Sequence, residues 1–379
     1  MSDIFRIIDR IHIEGRGTIY TTTIPKGANL HISDHLFDLN GNSFKVKGLE
    51  IREIFISDIP LHERPVDILL ESADKTEPDG DILVGGQLEI SFLFCNHPLY
   101  PRKVDEDYKE EHRVAGLSHS CALFSYEDLE KGKLSLYGDE ITGLAVYRGW
   151  MMKPRMYSDF YNQLEERGII LINTPKEYER YHLLPGWYKE FENETANSVW
   201  TVGNCMQDVF YISKELEGSY IVKDYVKSRK HEWHDACFIE NVRDQAAVNR
   251  VVGNFIERQG ADLVGGIVLR KYENLRQNGF HKQSKMPLSE EYRVFVYAGK
   301  ILAVDNYWSG ASDIKFSVQE YRWIESIASR IKSNFVTVDL ARKEDGTLII
   351  MEFGDGQVSG LQQVAAETFY GAFLRKYMK

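Results

Sequence analysis

From Glu89 onward the chain alternates apolar runs with amphipathic stretches, whereas residues 1 to about 87 carry no helical periodicity. This break constrains the fold more than any other feature, because period-2 and period-3.6 patterns build different layers. The first part holds six short runs rich in Ile, Val, Thr and aromatics: "FRIIDRIHI", "GTIYTTTI", "HLFDL", "SFKVKGLEI", "VDILLES" and "DILVG". Gly, Pro, Asn and Asp separate them, and Asn40-Gly41 sits between two runs as a hairpin turn. So many short strands without a helix predict a small closed barrel, which leaves no sheet edge unpaired.

After Glu89, strands "EISFLFC", "CALFSY", "GLAVYRGW" and "IILIN" are interleaved with amphipathic segments, the pattern of a small parallel sheet covered by helices. Thr174-Pro175-Lys176-Glu177 has the form of a capping box with Pro at the first helical position. The remainder reads as strands "SYIVKDYV" and "ACFIENV", helix "DQAAVNRVVGNFIERQG" and strand "GGIVLRKY". Hairpin "EYRVFVYAGKILAV", helix "QEYRWIESIASRI", a second hairpin and a final helix come after these. The expected divisions are 1–87, an all-β barrel; 88–198, a small α/β unit; and 199–379, an α+β domain.

Composition sets broad limits. A chain of 379 residues with 43% hydrophobic and 27% charged residues suits a globular protein of two or three domains. The net charge of -11 argues against a general nucleic-acid or membrane-surface binder. Four cysteines without metal-ligand spacing, no apolar run near 18 residues and the charged start "MSDIFRIIDR" lead to the expectation of a cytoplasmic protein without a signal peptide or membrane span.

The candidate chemistry lies at strand ends. Asp339 closes the apolar run from Phe335, Glu352 closes Leu348-Ile349-Ile350-Met351, and Glu344-Asp345-Gly346 lies between as a tight turn. Folded as a hairpin, the two acids become neighbours and repel unless a cation joins them; the competing reading is two solvated strand ends. Asp355 is next, flanked by Gly354 and Gly356, where glycines would let the backbone pass close to a ligand. Lys223 emerges from within strand Tyr220-Ile221-Val222. The loop after it carries Lys227, Arg229, Lys230, His231 and His234, cations that can fold over a polyphosphate or remain a solvated basic loop. Glu291 and Arg293 share one strand face, an acceptor beside a bidentate donor or a simple ion pair. Arg148 and Arg270 each end an apolar strand, where sites of open α/β sheets lie.

Two resemblances add to this reading. The stretch "IEGRGTIYTTTIPKGANLHISDHLF", with Gly15-Arg16-Gly17-Thr18, a Lys26-Gly27 turn and a later "VKGLEI", resembles the β-barrel second domain of translation elongation factors. That implies a barrel able to dock RNA or protein. If it is a recruitment domain, residues 88–379 should fold alone and still bind ATP; the alternative is a barrel that is part of the catalytic core. No GxxxxGK[ST] loop accompanies it, which implies no GTPase.

The order strand-Lys, flexible loop, strand, strand-Glu, then Asp and Glu thirteen residues apart resembles the ATP-grasp superfamily over residues 89–379. "MEFGDGQVSGL" and "VKDYVKSRKHEWH" resemble one clade of it. The resemblance implies an ATP-grasp fold and an ATP-dependent carboxylate-amine ligase, joining peptide or amino-acid substrates through an acyl-phosphate and releasing ADP and phosphate. Lys223, Lys227, Arg270 and Glu291 would then bind the nucleotide, and Asp339 and Glu352 would hold Mg2+. Asp355 would either replace the family's metal-ligating Asn, which is Gly354 here, or cap the following turn. Arg148, Arg229 and Arg293 would stabilise the transferring phosphoryl group, with His231 or His234 assisting the amine. The alternatives are an ATP-dependent enzyme transferring phosphoryl or nucleotidyl groups on RNA, and a non-catalytic ATP sensor.

Overall fold

The computed structural model describes residues 3–15, 17–25, 28–51, 65–74, 76–86, 89–280, 287–308 and 316–375; Arg16 and the Lys26-Gly27 turn lie outside them. Six antiparallel strands close the N-terminal barrel in the spatial order Asp3–Ile13, Gly17–Thr23, Pro65–Glu71, Ser43–Ile51, His35–Asp38, Ile82–Gly85, and the last pairs back onto the first. Alternation along these strands turns Phe5, Ile7, Tyr20, Phe44, Val46 and Ile68 inward.

The next layer is a sheet with strand order Leu136–Gly138, Cys121–Phe124, Ser91–His97, Gly143–Arg148, Ile169–Leu171. Its inner pairings are parallel and its Leu136–Gly138 edge is antiparallel. Thr174 and Glu177 form the capping box: the Thr174 hydroxyl accepts from the Glu177 amide at 3.2 Å, and the Glu177 carboxylate accepts from the Thr174 amide at 2.6 Å. This box starts helix Pro175–His182.

Two four-stranded antiparallel sheets complete the molecule. The smaller runs Ser198–Trp200, Val268–Lys271, Tyr220–Lys223, Phe238–Ile239, and helix Gln245–Gln259 buries Val248, Val251, Val252 and Phe255 in the same core. The larger runs Lys300–Asn306, Glu291–Tyr297, Phe335–Arg342, Leu348–Asp355 and packs on Ile324 and Ile327 of helix Val318–Arg330. Among the described residues no helix is long and apolar enough to cross a membrane.

The barrel is not a bead on a string. Ile4, Leu39, Ile82 and Val84 belong to one core with Phe92 and Phe94 of the parallel sheet and Phe295 and Tyr297 of the larger lobe. Arg6 donates to the Leu171 carbonyl at 2.9 Å and pairs with Glu177. The expectation of a detachable barrel meets a shared core.

Candidate active site

The hairpin of Phe335–Arg342 and Leu348–Asp355 turns at Gly346, whose φ of 91° is one that L side chains rarely adopt. Its register sets Asp339 directly opposite Glu352, and Arg293 on the next strand opposite Asp339. Three charges thus line one row across three strands, where side chains of opposed residues lie about 5 Å apart. Each acid has a cation. The Arg293 fork donates to both Asp339 oxygens, at 2.8 and 2.7 Å. Lys223, reaching across from the smaller lobe, donates to Glu352 at 2.7 Å.

Electrostatics separates the two carboxylates. Burial pushes the Asp339 pKa up, and Glu352 adds to this, while Arg293 only partly offsets it. Burial also works against ionised Glu352, but Lys223 and Lys230 overcome it and hold its pKa below the usual range. Glu352 keeps 39% of its side chain accessible, so it faces an open cleft with protein on both sides. Lys230 stands in the same cleft, its pKa lowered by desolvation but raised overall by Glu291 and Glu352. Glu291 is raised by its own burial, with Lys230 opposing.

The strand holding Glu352 is pinned at two places by buried arginines. Between the pairs Asp339–Glu352 and Leu340–Ile350 the register slips by one residue, leaving Met351 as a bulge. Arg270 donates to the carbonyls of Ile350 (3.1 Å) and Met351 (2.9 Å) and to the hydroxyls of Thr195 and Ser198. Its burial lowers its pKa to about 10. Arg148, with no exposed surface, donates to the Gly356 carbonyl at 2.6 Å and to both oxygens of Glu111.

The structure therefore brings Lys223, Arg293, Asp339 and Glu352 together, with Glu291 beside them. It does not bring the other expected residues there. Asp355 lies three positions beyond Glu352 in the same strand, so its side chain takes the opposite face. There it accepts from Asn173 at 2.6 Å and from the Gln357 amide at 2.9 Å, with burial raising its pKa to about 7. It cannot share an ion with Glu352. Arg148 and Arg270 are buried and engaged with backbone and side-chain oxygens that pin the strand. Arg229 pairs with Glu232 at 2.6 Å and lies, with Lys227 and His231, along an adjoining groove that His182 also lines. His234 is exposed on the short helix after that loop. The two glycines also have a different reason. A Cβ on Gly356 would sit 2.7 Å from the Phe335 ring, and one on Gly354 2.8 Å from the Thr337 hydroxyl, so both are required by packing.

Two residues of the site carried no sequence signal of their own. Lys230 was one cation among several in a loop. His182, only 6% exposed at the end of helix Pro175–His182, lies near Glu352, Lys223 and Lys227, and burial lowers its pKa to about 4.

Comparison with known proteins agrees with this architecture. Residues 212–373 match the family model for an ATP-grasp domain, the third family of its clade. The fold is similar to that of a RimK domain ATP-grasp protein from Sphaerobacter thermophilus, at a TM-score of 0.52 and 12% identity, covering 77% of this chain and 100% of that one. D-alanyl-alanine synthetase A from Vibrio cholerae aligns at 0.48 and 11%, covering 77% and 94%. The ATP-grasp ligase PsnB, solved with its minimal precursor, Mg and ADP, aligns at 0.46 and 12%, covering 76% and 98%. No curated protein matches. An ATP-grasp domain thus occupies residues 212–373, and the chain combines the ATP-grasp fold with a closed six-stranded N-terminal barrel.

Proposed function

We propose that the protein is an ATP-dependent carboxylate-amine ligase acting on peptide or amino-acid substrates. The observation that carries this reading is the row Arg293–Asp339–Glu352 on one lobe, met across the cleft by Lys223 of the other. Two carboxylates without a third acid among the described residues fit Mg2+, which takes one or two protein carboxylates and completes its octahedron with phosphate and water oxygens. When bound, the ion would neutralise charge on the β- and γ-phosphates. Lys223 and Lys230 would bind the same phosphates, Lys223 exchanging Glu352 for them, and Glu291 would accept from the ribose. Arg293, held in plane by Asp339, would offer its remaining donors to the transferring group.

In the reaction, a substrate carboxylate oxygen attacks the γ-phosphorus, the bond to the β-phosphate oxygen breaks, and ADP leaves. The amine then attacks the acyl carbon, phosphate leaves, and the amine proton passes to solvent. The test is a product assay with ATP, Mg2+ and pooled peptides and amines. ADP and phosphate in equal amounts with an amide are expected; AMP and pyrophosphate would indicate nucleotidyl transfer, and tight ATP binding without turnover a sensor. Lys223→Ala removes a charge-assisted contact of about 1.5–3 kcal/mol, so ATP affinity should fall at least about tenfold, with only a modest drop in melting temperature because Glu352 keeps 39% of its side chain accessible. An unchanged affinity would remove that lysine from the site.

A further inference from the structure

A cavity of about 780 Å³ lies beside the cleft, between the parallel-sheet unit and the loop after Lys223. That volume is within the range of small-molecule and peptide sites. The first wall holds Met151, Met152 and Met156 with the acids Glu130 and Asp159; the second holds Lys227, Arg229 and His231 with Asp262. Lys153 spans the two by donating to the Ala261 carbonyl at 2.8 Å.

Helix Pro154–Glu165 begins in this cavity, with Lys153, Arg155 and Met156 all lining it. No side chain caps this helix, and the backbone N–H groups of Arg155 and Met156 have no acceptor among the described residues. Such a start attracts an anion. His182 is the independent sign of a ligand. It lines the cavity, is nine-tenths buried, and its ring nitrogens have no hydrogen-bond partner among the described residues. Its nitrogens are not sealed off within the protein, so a group bound in the cavity can supply the missing partner. Lys227 and Arg155, on opposite walls, also form no ion pair among the described residues. Methionines between these points offer a deformable apolar surface.

We propose that this groove binds the substrate whose carboxylate is activated, and that this substrate is a peptide with two carboxylates flanking a bulky apolar side chain. The reacting carboxylate lies at the His182–Lys227 end, next to Lys223 and Glu352. The second sits on the start of helix Pro154–Glu165 with Arg155, and the apolar side chain rests on the methionines. The assignment of the reacting end rests on the ligase reading; the recognition of a dianionic peptide does not.

Titration calorimetry of the full chain without nucleotide tests the groove alone. The probe is N-acetyl-glutamyl-leucine, whose side-chain and C-terminal carboxylates lie on either side of the leucine, compared with its C-terminal amide, its side-chain amide and N-acetyl-glutamyl-glycine. The dicarboxylate should bind at least tenfold more tightly than each of the three. Arg155→Glu and, separately, Met156→Asp should each weaken it tenfold while ATP affinity stays within twofold. Equal binding of all four peptides, binding of none, or wild-type binding by Arg155→Glu overturns the proposal. ATP titrated in parallel separates the two readings: peptide selectivity without ATP binding would remove the ligase function and leave the groove, and ATP binding without peptide selectivity would do the reverse.

Discussion

At the residue scale, function and stability divide between the two faces of one strand. Asp339→Asn and Glu352→Gln should each abolish Mg2+-dependent turnover, because neutral amides replace a hard anionic ligand poorly; Asp339→Asn should also melt lower, since it leaves the buried Arg293 without its carboxylate. Asp355→Ala should keep its Mg2+ dependence. It instead orphans the donors of Asn173 and Gln357, costing about 2 kcal/mol or more of stability. A magnesium titration of the three variants with their melting temperatures checks this, and a shifted Mg2+ requirement in Asp355→Ala would return that residue to the metal site. His182 gives a pH signature. Its folded pKa of about 4 lies below the 6.5 of the unfolded chain. Below pH 6.5 the unfolded state therefore takes up a proton that the folded ring refuses. This contribution is complete above pH 6.5 and is lost as pH falls to 4, by on the order of 3 kcal/mol. His182→Phe, which keeps a ring against Tyr178, should lose less melting temperature between pH 7.5 and 4.5 than the wild type. Equal losses would show that the histidine is protonated in the folded state.

At the element scale, the strand Leu348–Asp355 owes its position to buried arginines whose donors go to protein oxygens. Arg148→Met would leave buried Glu111 with only the Tyr370 hydroxyl and no counter-charge, and the Gly356 carbonyl without its Arg148 donor. Breaking a buried pair from one side costs about 3–5 kcal/mol, so a large drop in melting temperature is expected, while the ATP affinity of protein that remains folded should not change. A stable variant with lost ATP binding would place Arg148 at the nucleotide instead. This division explains what the sequence made legible. The pair Asp339–Glu352 could be anticipated because hairpin register is local arithmetic: a turn signal, two apolar runs and two acids thirteen apart. Arg293 was expected beside Glu291, and its place opposite Asp339 follows from pairing with a strand 46 residues away. The face of Asp355 was equally readable, since three steps along a strand reverse direction, but the glycines around it suggested a loop. Arg148 and Arg270 were not readable. Their partners Glu111 and Thr195 lie 37 and 75 residues away, and nothing in an apolar strand ending in Arg distinguishes a clamp from a ligand contact. Lys230 was hidden for a different reason: a loop has no periodicity from which to infer direction.

At the scale of the whole molecule, the barrel is wired to the larger lobe as well as packed on the parallel sheet. The hairpin between Glu291–Tyr297 and Lys300–Asn306 turns at Ala298 and Gly299, with φ of 46° and 72°. Alanine is unfavourable in that region, and its neighbours hold it there: the Ala298 amide donates to the Asn334 carbonyl at 2.7 Å, and barrel residue Asn40 donates to the Ala298 carbonyl at 3.2 Å. Lys300 donates to barrel residue Asp79 at 2.6 Å, and the Asp81 amide donates to the Asn334 side chain at 3.1 Å. Asn334 immediately precedes the strand that carries Asp339. Removing residues 1–87 would therefore strip the barrel partners from Ala298, Lys300, Asn334 and Glu177 together. It would also expose the core that Ile4, Leu39, Ile82 and Val84 now cover. Covering four such side chains is worth roughly 6–12 kcal/mol as an upper estimate, comparable with the entire stability of a typical domain. The fragment 88–379 should therefore aggregate or melt far below the full chain. Asp79→Ala in the full chain, which cuts one polar tie and no apolar contact, should melt within a few degrees of wild type. A soluble 88–379 fragment with a cooperative transition within about 5 °C of the full chain and intact ATP affinity would make the barrel a separable recruitment module after all.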